Sequence, residues 1–246
     1  MMAFHKNSQQ PDVLQQNGPA ETQKLIVAVD GGNDSPTFDS LYRHADVKAQ
    51  LKRDQNDKCA YCERKLNGDY GAVEHYRPKG AWQQNQGDQL EKPGYYWLAY
   101  EWSNLLYSCD ECNTSYKMNL FPLANPADRD IEHRDVSKEQ PLLVNPTTDD
   151  PGTYIGFRRE IAVPRIIDGV PSEKGQKTID LLGLNSRPVL KQARMDSFLK
   201  YKKYRVLKAI IEKIGDIQAL AIVESLITTH TGEYAEFTGM YLNQVP

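Results

Sequence analysis

The stretches KCAYCE at positions 58–63 and SCDECN at positions 108–113 contain all four cysteines of this 246-residue chain. Each is a Cys-x-x-Cys pair, a spacing that lets two thiolates bind one tetrahedral zinc ion from a tight turn. Residues 63–108 separate the pairs, an insert longer than the roughly 15–20 residues of a zinc ribbon. Such an insert is tolerated because loop-closure entropy grows slowly with loop length. The alternative is four unrelated buried thiols. The two matched pairs instead predict one closed structural zinc site at Cys59, Cys62, Cys109 and Cys112.

The composition is that of a soluble globular protein long enough to bury a core. The formal net charge is −3 and 26% of the residues are charged, so any nucleic-acid-binding surface must be local. No run approaches the roughly 18 apolar residues of a membrane span, and the N-terminal residues lack the pattern of a secretory signal. We therefore expect a cytoplasmic protein without a membrane partner. In a reducing compartment, paired cysteines favour metal binding over disulfides.

Polar, apolar and turn residues divide the chain into four predicted parts of an α+β, mostly helical protein. Residues 1–38 are rich in Gln, Asn, Pro and Gly and predict an irregular N-terminal arm, available for contact with a partner. Residues 39–124 begin with a helix and contain the cysteine pairs. Prolines throughout 125–172 predict a loop-rich connector. Residues 173–246 predict a helical C-terminal region, with helices over 173–183, 187–214 and 216–229.

A short strand over 72–76 is predicted to carry Glu74 and His75 side by side. Adjacent side chains of an ideal strand point to opposite faces, so these two converge only if the chain bends, and Pro78 is consistent with a bend. An imidazole is suited to accept a proton near neutral pH, and a carboxylate binds hard divalent cations. The alternative is a solvated pair on the surface.

Two further stretches have more than one interpretation. The aromatic run YYWLAYEW at 95–102 can stack on bases, but its apolar density favours packing in the core. The predicted helix 187–214 is the most basic part of the chain and can follow nucleic-acid phosphates, bind a partner, or simply be solvated. Its basic residues are Arg187, Lys191, Arg194, Lys200, Lys202, Lys203, Arg205, Lys208 and Lys213.

The order of these motifs resembles the signature of HNH endonucleases. The motifs are the first Cys-x-x-Cys pair, VEHYRPK (73–79), WSNLL (102–106) and CDECNTSYK (109–117). More narrowly, the chain resembles the PtuB family, the HNH nuclease subunits of Septu-type and retron-associated anti-phage systems. The additional similarities are YYWLAYEW, FPL (121–123) and LLGLN (181–185). The strong resemblance covers 57–124, and it identifies 39–124 as the HNH module.

The resemblance implies a ββα-metal fold, two short strands and a helix around one catalytic cation. His75 is then the general base that activates the attacking water. Glu74 stands where most of the wider superfamily carries Asp as a metal ligand, and Asn113 supplies the second ligand. Asn104 braces the loop that carries the base. A short helix is predicted to begin at Asn113 and to extend to position 119.

The chemistry of phosphodiester hydrolysis agrees with these roles. It needs an activated water, a cation that stabilises the developing charge, and basic groups that hold the backbone. Oxygen ligands from Glu74 and Asn113 suit Mg²⁺ or Mn²⁺. The predicted phosphate contacts are Arg77, Lys79 and Lys117, the last one helical turn beyond Asn113. The alternative for each cation is a solvated surface position.

The resemblance also implies partners and a biological role. The chain would be the effector endonuclease of an anti-phage complex. It has no Gly-x-x-x-x-Gly-Lys-Ser/Thr loop, so ATP would be bound by a separate PtuA-like ATPase of the ABC/SMC type in a hetero-oligomer. A retron reverse transcriptase and its DNA are further candidate partners. Two alternatives remain, an effector that cleaves RNA such as tRNA, and a zinc-scaffolded nucleic-acid- or protein-binding module without catalysis.

Overall fold

A computed structural model describes residues 1–6, 9–67 and 71–246, which form a mixed α and β structure with short antiparallel strands. The helices are α1 (Asp12–Asp30), α2 (Ala45–Asp54), α3 (Pro151–Tyr154), α4 (Glu173–Leu181), α5 (Pro188–Ile214), α6 (Ile217–Thr231) and α7 (Thr238–Leu242). The strands are β1 (Gly71–His75), β2 (Leu105–Cys109), β3 (Ile155–Arg158), β4 (Ile161–Pro164), β5 (Ile166–Ile167) and β6 (Val170–Pro171). The prediction of an α+β protein is confirmed.

A two-stranded hairpin and a π-helix form the centre of the cysteine-containing region. β1 pairs antiparallel with β2, with Gly71 opposite Cys109 and His75 opposite Leu105. The π-helix Glu111–Lys117 follows directly, and the amide of Met118 donates to the Asn113 carbonyl at 2.9 Å in its last turn. The predicted strand at 72–76 is confirmed. The helix begins two residues before the predicted start at Asn113, which places Cys112 inside it.

The prediction of an irregular arm over 1–38 is wrong, because α1 occupies Asp12–Asp30. Its buried residues Leu14, Gly18 and Leu25 are spaced for one helical face. Gly18 allows this face to lie against Tyr100. Among the Gln, Asn, Pro and Gly residues on which that prediction rested, Gln is a good helix former. The apolar face is narrow, and packing on the aromatic run, on Ser40–Arg43 and on α2 stabilises it.

The predicted loop-rich connector, 125–172, contains two small hairpins, which corrects that prediction. β3 pairs with β4 from Ile155 opposite Pro164, and β5 pairs with β6. The strands have two to four residues, too few to show an alternating pattern. The C-terminal segment also supports β3, because the Phe157 amide donates to the Asn243 carbonyl at 2.8 Å. A contact between positions so distant in sequence leaves no local signal.

The three predicted C-terminal helices are confirmed as α4, α5 and α6, within two residues at each end. Gly183 and Gly215 follow α4 and α5 with φ angles of +56° and +80°, the left-handed conformation in which glycine commonly ends a helix. α7 was not predicted. Among the described residues, no helix combines the length and apolar character needed to cross a bilayer.

The aromatic run over 95–102 lies in the core, as its apolar density predicts. Tyr95, Tyr96 and Tyr100 are buried, and the Tyr95 ring meets Phe121 in a T-shaped contact at 5.5 Å between centroids. Such edge-to-face pairs add to the energy of apolar burial. This aromatic layer supports the segment that carries Glu74 and His75.

Candidate functional site

The four cysteines converge on one buried cluster. Their sulfur atoms all lie within 4.8 Å of one another, and the Sγ atoms of Cys62 and Cys109 are 3.8 Å apart. A zinc tetrahedron with Zn–S bonds of about 2.3 Å has S–S edges of about 3.8 Å. Because all four positions are thiols, the cluster can hold a metal ion without leaving an open coordination position. This arrangement fits a structural site rather than a catalytic one.

Arg187 connects the cysteine cluster to helix α5. Its side chain is 1% exposed, and Nη1 donates to Cys112 Sγ at 3.0 Å while Nη2 donates to Glu111. Burial by itself lowers the pKa of Arg187, but the bonds to Glu111 and Cys112 raise it overall. Arg194, about two turns further along the same face of α5, is also buried. These two members of the basic helix therefore support the core and do not face a nucleic acid.

Glu74 and His75 lie on the same open cleft. Each residue is 5% exposed, and both line the cleft together with Asn113. The chain bends directly after β1, where Asn104 holds the backbone of Arg77 from both sides. Asn104 Oδ1 accepts from the Arg77 amide at 2.8 Å, and its Nδ2 donates to the Arg77 carbonyl at 3.0 Å. Asn104 thus fixes the bend that follows His75.

The hydrogen bonds of His75 define which nitrogen carries the proton. Nε2 lies 2.9 Å from the Ala99 carbonyl, and a carbonyl oxygen only accepts, so Nε2 is the donor. Nδ1 then keeps its lone pair. Burial lowers the pKa of His75 well below its usual range, and the Lys79 ammonium acts in the same direction. The imidazole is therefore neutral at neutral pH and able to accept a proton.

Lys117 is completely buried beside Glu74, so the prediction that it contacts phosphate is wrong. Its Nζ lies 2.6 Å from Glu74 Oε1 and donates to the His75 carbonyl at 2.8 Å. Burial raises the pKa of Glu74, and the Lys117 ammonium opposes that shift. The expected placement assumed α-helical spacing from Asn113. The π-helix instead turns the Lys117 side chain into the protein, where the Glu74 carboxylate and the His75 carbonyl bind its ammonium group.

Arg77 is also turned away from the cleft, which corrects the second predicted phosphate contact. Its Nε donates to Glu139 Oε2 at 2.9 Å, and the Glu139 side chain is fully buried. The guanidinium lies 5.4 Å from the centre of the Phe121 ring. Lys79 differs, because its half-buried side chain lines the cleft. Its Nζ lies 4.7 Å from the Tyr42 ring centre.

The cleft has two adjoining parts with volumes of about 500 Å³ and 450 Å³. Both are lined by the same five residues, Glu74, His75, Lys79, Asn113 and Thr114. The motifs did not identify Arg43, Lys48 and Lys92, which also line it. These three lie outside the motifs, and only the folded chain brings them to the site.

Glu74 and Asn113 give the cleft two side chains with oxygen ligands for a hard divalent cation. A magnesium ion held by one carboxylate and few other protein groups completes its shell with water or phosphate oxygens. Glu74 and Asn113 therefore fit Mg²⁺ or Mn²⁺ when water or phosphate oxygens complete the coordination shell. Over the ranges that the structure describes, the cysteine cluster is the one group of three or more His, Cys, Asp or Glu side chains close enough to bind a metal.

The chain matches proteins of the Septu system, whereas no protein-family model matches it. It is 37% identical to Septu protein PtuB of Bacillus mycoides (strain KBAB4) over 171 residues, which are 69% of this chain and 57% of that protein. It is 29% identical to PtuB of Bacillus thuringiensis over 61% of this chain and 45% of that protein. Septu protein PtuA of B. mycoides is 29% identical over 61% of this chain and 20% of PtuA. The chain spans about half the length of these PtuB proteins. The chain is a homologue of the Septu protein PtuB.

Proposed function

We propose that this chain is a metal-dependent endonuclease of the HNH type that hydrolyses nucleic-acid phosphodiester bonds. The observation that carries the proposal is the convergence of a neutral His75 with Glu74 and Asn113 on one open cleft. The order of β1, β2 and the π-helix supports a ββα arrangement around that cleft. The neighbouring cysteine cluster supports a structural zinc ion that fixes the end of β2 and the π-helix.

His75 acts as the general base in this proposal. Nδ1 accepts the proton of the attacking water, while the Ala99 carbonyl holds the tautomer through Nε2. Asn104 fixes the bend behind His75. Glu74 and Asn113 would hold Mg²⁺ or Mn²⁺, which supplies stabilisation of the charge on the scissile phosphate and leaving oxygen. Lys79 is the predicted phosphate contact that the cleft retains.

The homology to PtuB supports a role as the effector subunit in anti-phage defence in the cytoplasm. A separate ATPase similar to PtuA is the proposed partner, because the chain lacks a phosphate-binding Gly-x-x-x-x-Gly-Lys-Ser/Thr loop. A retron reverse transcriptase and its DNA remain further candidate partners. Affinity purification from the native host should recover such an ATPase. Recovery of the chain without any ATPase would contradict this part of the proposal.

The decisive experiment compares the wild type with His75→Ala and His75→Gln, each purified with and without the proposed PtuA-like ATPase. Plasmid DNA and total tRNA are incubated with Mg²⁺ or Mn²⁺. Loss of a general base should slow cleavage by about 10²–10⁴-fold. His133→Ala is the matched control, since the His133 side chain is 73% exposed.

The outcomes separate the proposal from its alternatives. Cleavage that survives both His75 substitutions would overturn the catalytic assignment. Cleavage of tRNA but not of plasmid DNA would favour an RNA-specific effector. The same activation of water by His75 would serve that reaction. Binding without cleavage by the wild type under any condition would favour a non-catalytic zinc-scaffolded module.

A further inference from the structure

The cleft carries a local positive charge that the composition of the chain does not reveal. The whole chain has a formal charge of −3. Among the described residues that line the two parts of the cleft, the basic ones are Arg43, Lys48, Lys79 and Lys92. The acidic one is Glu74, and its carboxylate is paired with the buried ammonium group of Lys117. Positive charge therefore dominates where the proposed cutting site is open.

Two of these cations, Arg43 and Lys92, line different parts of the cleft that contains Glu74, His75 and Asn113. Lys92 lines the first part of the cleft, whereas Arg43 lines the second part. Lys79 lines both, and so do Glu74 and His75. Because the two parts share these residues, they adjoin at the proposed cutting site. A polymer bound at this site can extend into both parts of the cleft.

Aromatic and hydroxyl groups hold the cations at the cleft. The Arg43 guanidinium lies 5.1 Å from the centre of the Tyr42 ring. The same ring packs against His75, with 4.7 Å between centroids. In the other part of the cleft, Lys92 Nζ donates to Ser35 Oγ at 3.0 Å. Arg43 and Lys92 are exposed, so their charged groups stay accessible to a ligand.

We propose that the two parts of the cleft form one phosphate-binding groove for a nucleic-acid strand, in which Arg43 and Lys92 contact phosphates on either side of the cutting site. The inference rests on the proposed nuclease function and names binding residues outside the motifs. It assigns to these two residues the task that Arg77 and Lys117 do not perform, since both of those are bound to buried carboxylates. Guanidinium and ammonium groups contact phosphates without reading sequence, so the groove binds strands of any sequence.

The test measures binding of fluorescein-labelled single strands of about 20 nucleotides, both DNA and RNA, by fluorescence anisotropy over a series of NaCl concentrations. A His75→Ala background prevents cleavage during the measurement. Arg43→Gln and Lys92→Gln are the test substitutions. Arg205→Gln and Lys203→Gln are matched controls on the exposed surface of α5, and thermal unfolding verifies that every variant is folded.

We expect each test substitution to weaken binding by about 2–10-fold and to reduce the slope of log K against log salt concentration by about 0.7, the value for one phosphate contact on a single strand. The double substitution should multiply the two effects, because the residues line different parts of the cleft. Arg43→Lys should restore most of the affinity because it keeps the charge. Arg205→Gln and Lys203→Gln should stay within about 2-fold of the parent.

The inference is overturned if the test substitutions behave like the controls, or if the controls alone lose affinity, which would place the nucleic acid on α5. Binding that depends on Arg43 and Lys92 in a protein that never cleaves would keep the groove and reject the nuclease. Cleavage that depends on His75 but not on Arg43 or Lys92 would keep the nuclease and reject the groove. The two proposals can therefore fail separately.

Discussion

Three basic residues near Glu74 and His75 have different environments although the motifs place them together. Lys117 forms a buried ion pair with Glu74, and Arg77 pairs with Glu139 behind the bend. Lys79 alone of the three lines the cleft. A buried cation compensates a buried carboxylate, whereas an exposed one can bind a ligand. The residue type did not distinguish these tasks, whereas pairing with a buried carboxylate did.

Substitution of Lys117 tests its buried pairing. Lys117→Met keeps an extended side chain but leaves Glu74 without its compensating charge. We expect the free energy of unfolding to fall by about 3–5 kcal/mol, the usual cost of breaking a buried pair from one side. Denaturant unfolding followed by circular dichroism measures it.

Two controls define the origin of this loss. Lys202→Met changes an exposed lysine of α5 and should cost less than about 0.5 kcal/mol. Glu74→Gln combined with Lys117→Met removes both charges and should recover part of the stability. A Lys117→Met protein as stable as the Lys202→Met protein would show that the pair does not stabilise the fold.

The loop between β1 and the aromatic run forms one wall of the cleft, and it closes through tight backbone packing. The Tyr95 amide donates to the Pro78 carbonyl at 2.9 Å, and the Gly94 amide donates to the Gly80 carbonyl at 3.1 Å. A Cβ at Gly94 would lie 2.5 Å from the Ala81 nitrogen and 2.6 Å from the Pro78 oxygen. Backbone atoms cannot yield as a side chain can, so this position requires glycine.

Gly94→Ala should therefore open the cleft wall. We expect a loss of about 1–3 kcal/mol in unfolding free energy, as for other overpacked sites. Weaker oligonucleotide binding should accompany it, because Lys92 lies on the same loop. Gly80→Ala is the matched control, since its Cβ would meet only the Phe38 ring at 3.6 Å. Equal stability and binding of the two variants would contradict the steric argument.

The cysteine cluster joins segments that are far apart in the chain. It connects the turn after α2, the end of β2 and the π-helix, and Arg187 extends the connection to α5. A metal ion there would fix the end of β2 and the π-helix that carries Asn113. Because structural zinc contributes directly to folding free energy, its effect should extend to the whole protein.

Metal removal tests this arrangement. Elemental analysis should find about one zinc ion per chain. Removal of the zinc ion with a chelator, followed by addition of excess Mg²⁺, should lower Tm. The expected decrease is roughly 10–20 °C if the free energy of unfolding falls by about 5 kcal/mol. The Cys112→Ser protein should have a low Tm before chelation and respond little to it. Zinc-free protein with an unchanged Tm after chelation would contradict a structural metal site.

The features that depend on short-range pattern could be predicted from the sequence. The Cys-x-x-Cys pairs, the strand with Glu74 and His75, and the helices α4, α5 and α6 follow from spacing, caps and periodicity within one segment. The boundaries of these elements agree with the structure because the signals that set them lie within each element's own residues. The motifs also predicted that His75 and Asn113 line one site.

The features that depend on contacts between distant segments follow from the tertiary structure. The helix α1 is one of them, because its narrow apolar face is stabilised by packing on the aromatic run and on the segments at Ser40–Arg43 and α2. Another is the choice of cations at the cleft, because Arg77 and Lys117 are paired with buried carboxylates while Arg43 and Lys92 line the opening. A sequence shows which residues carry charge, but the pairing and exposure of each charge are set by long-range packing.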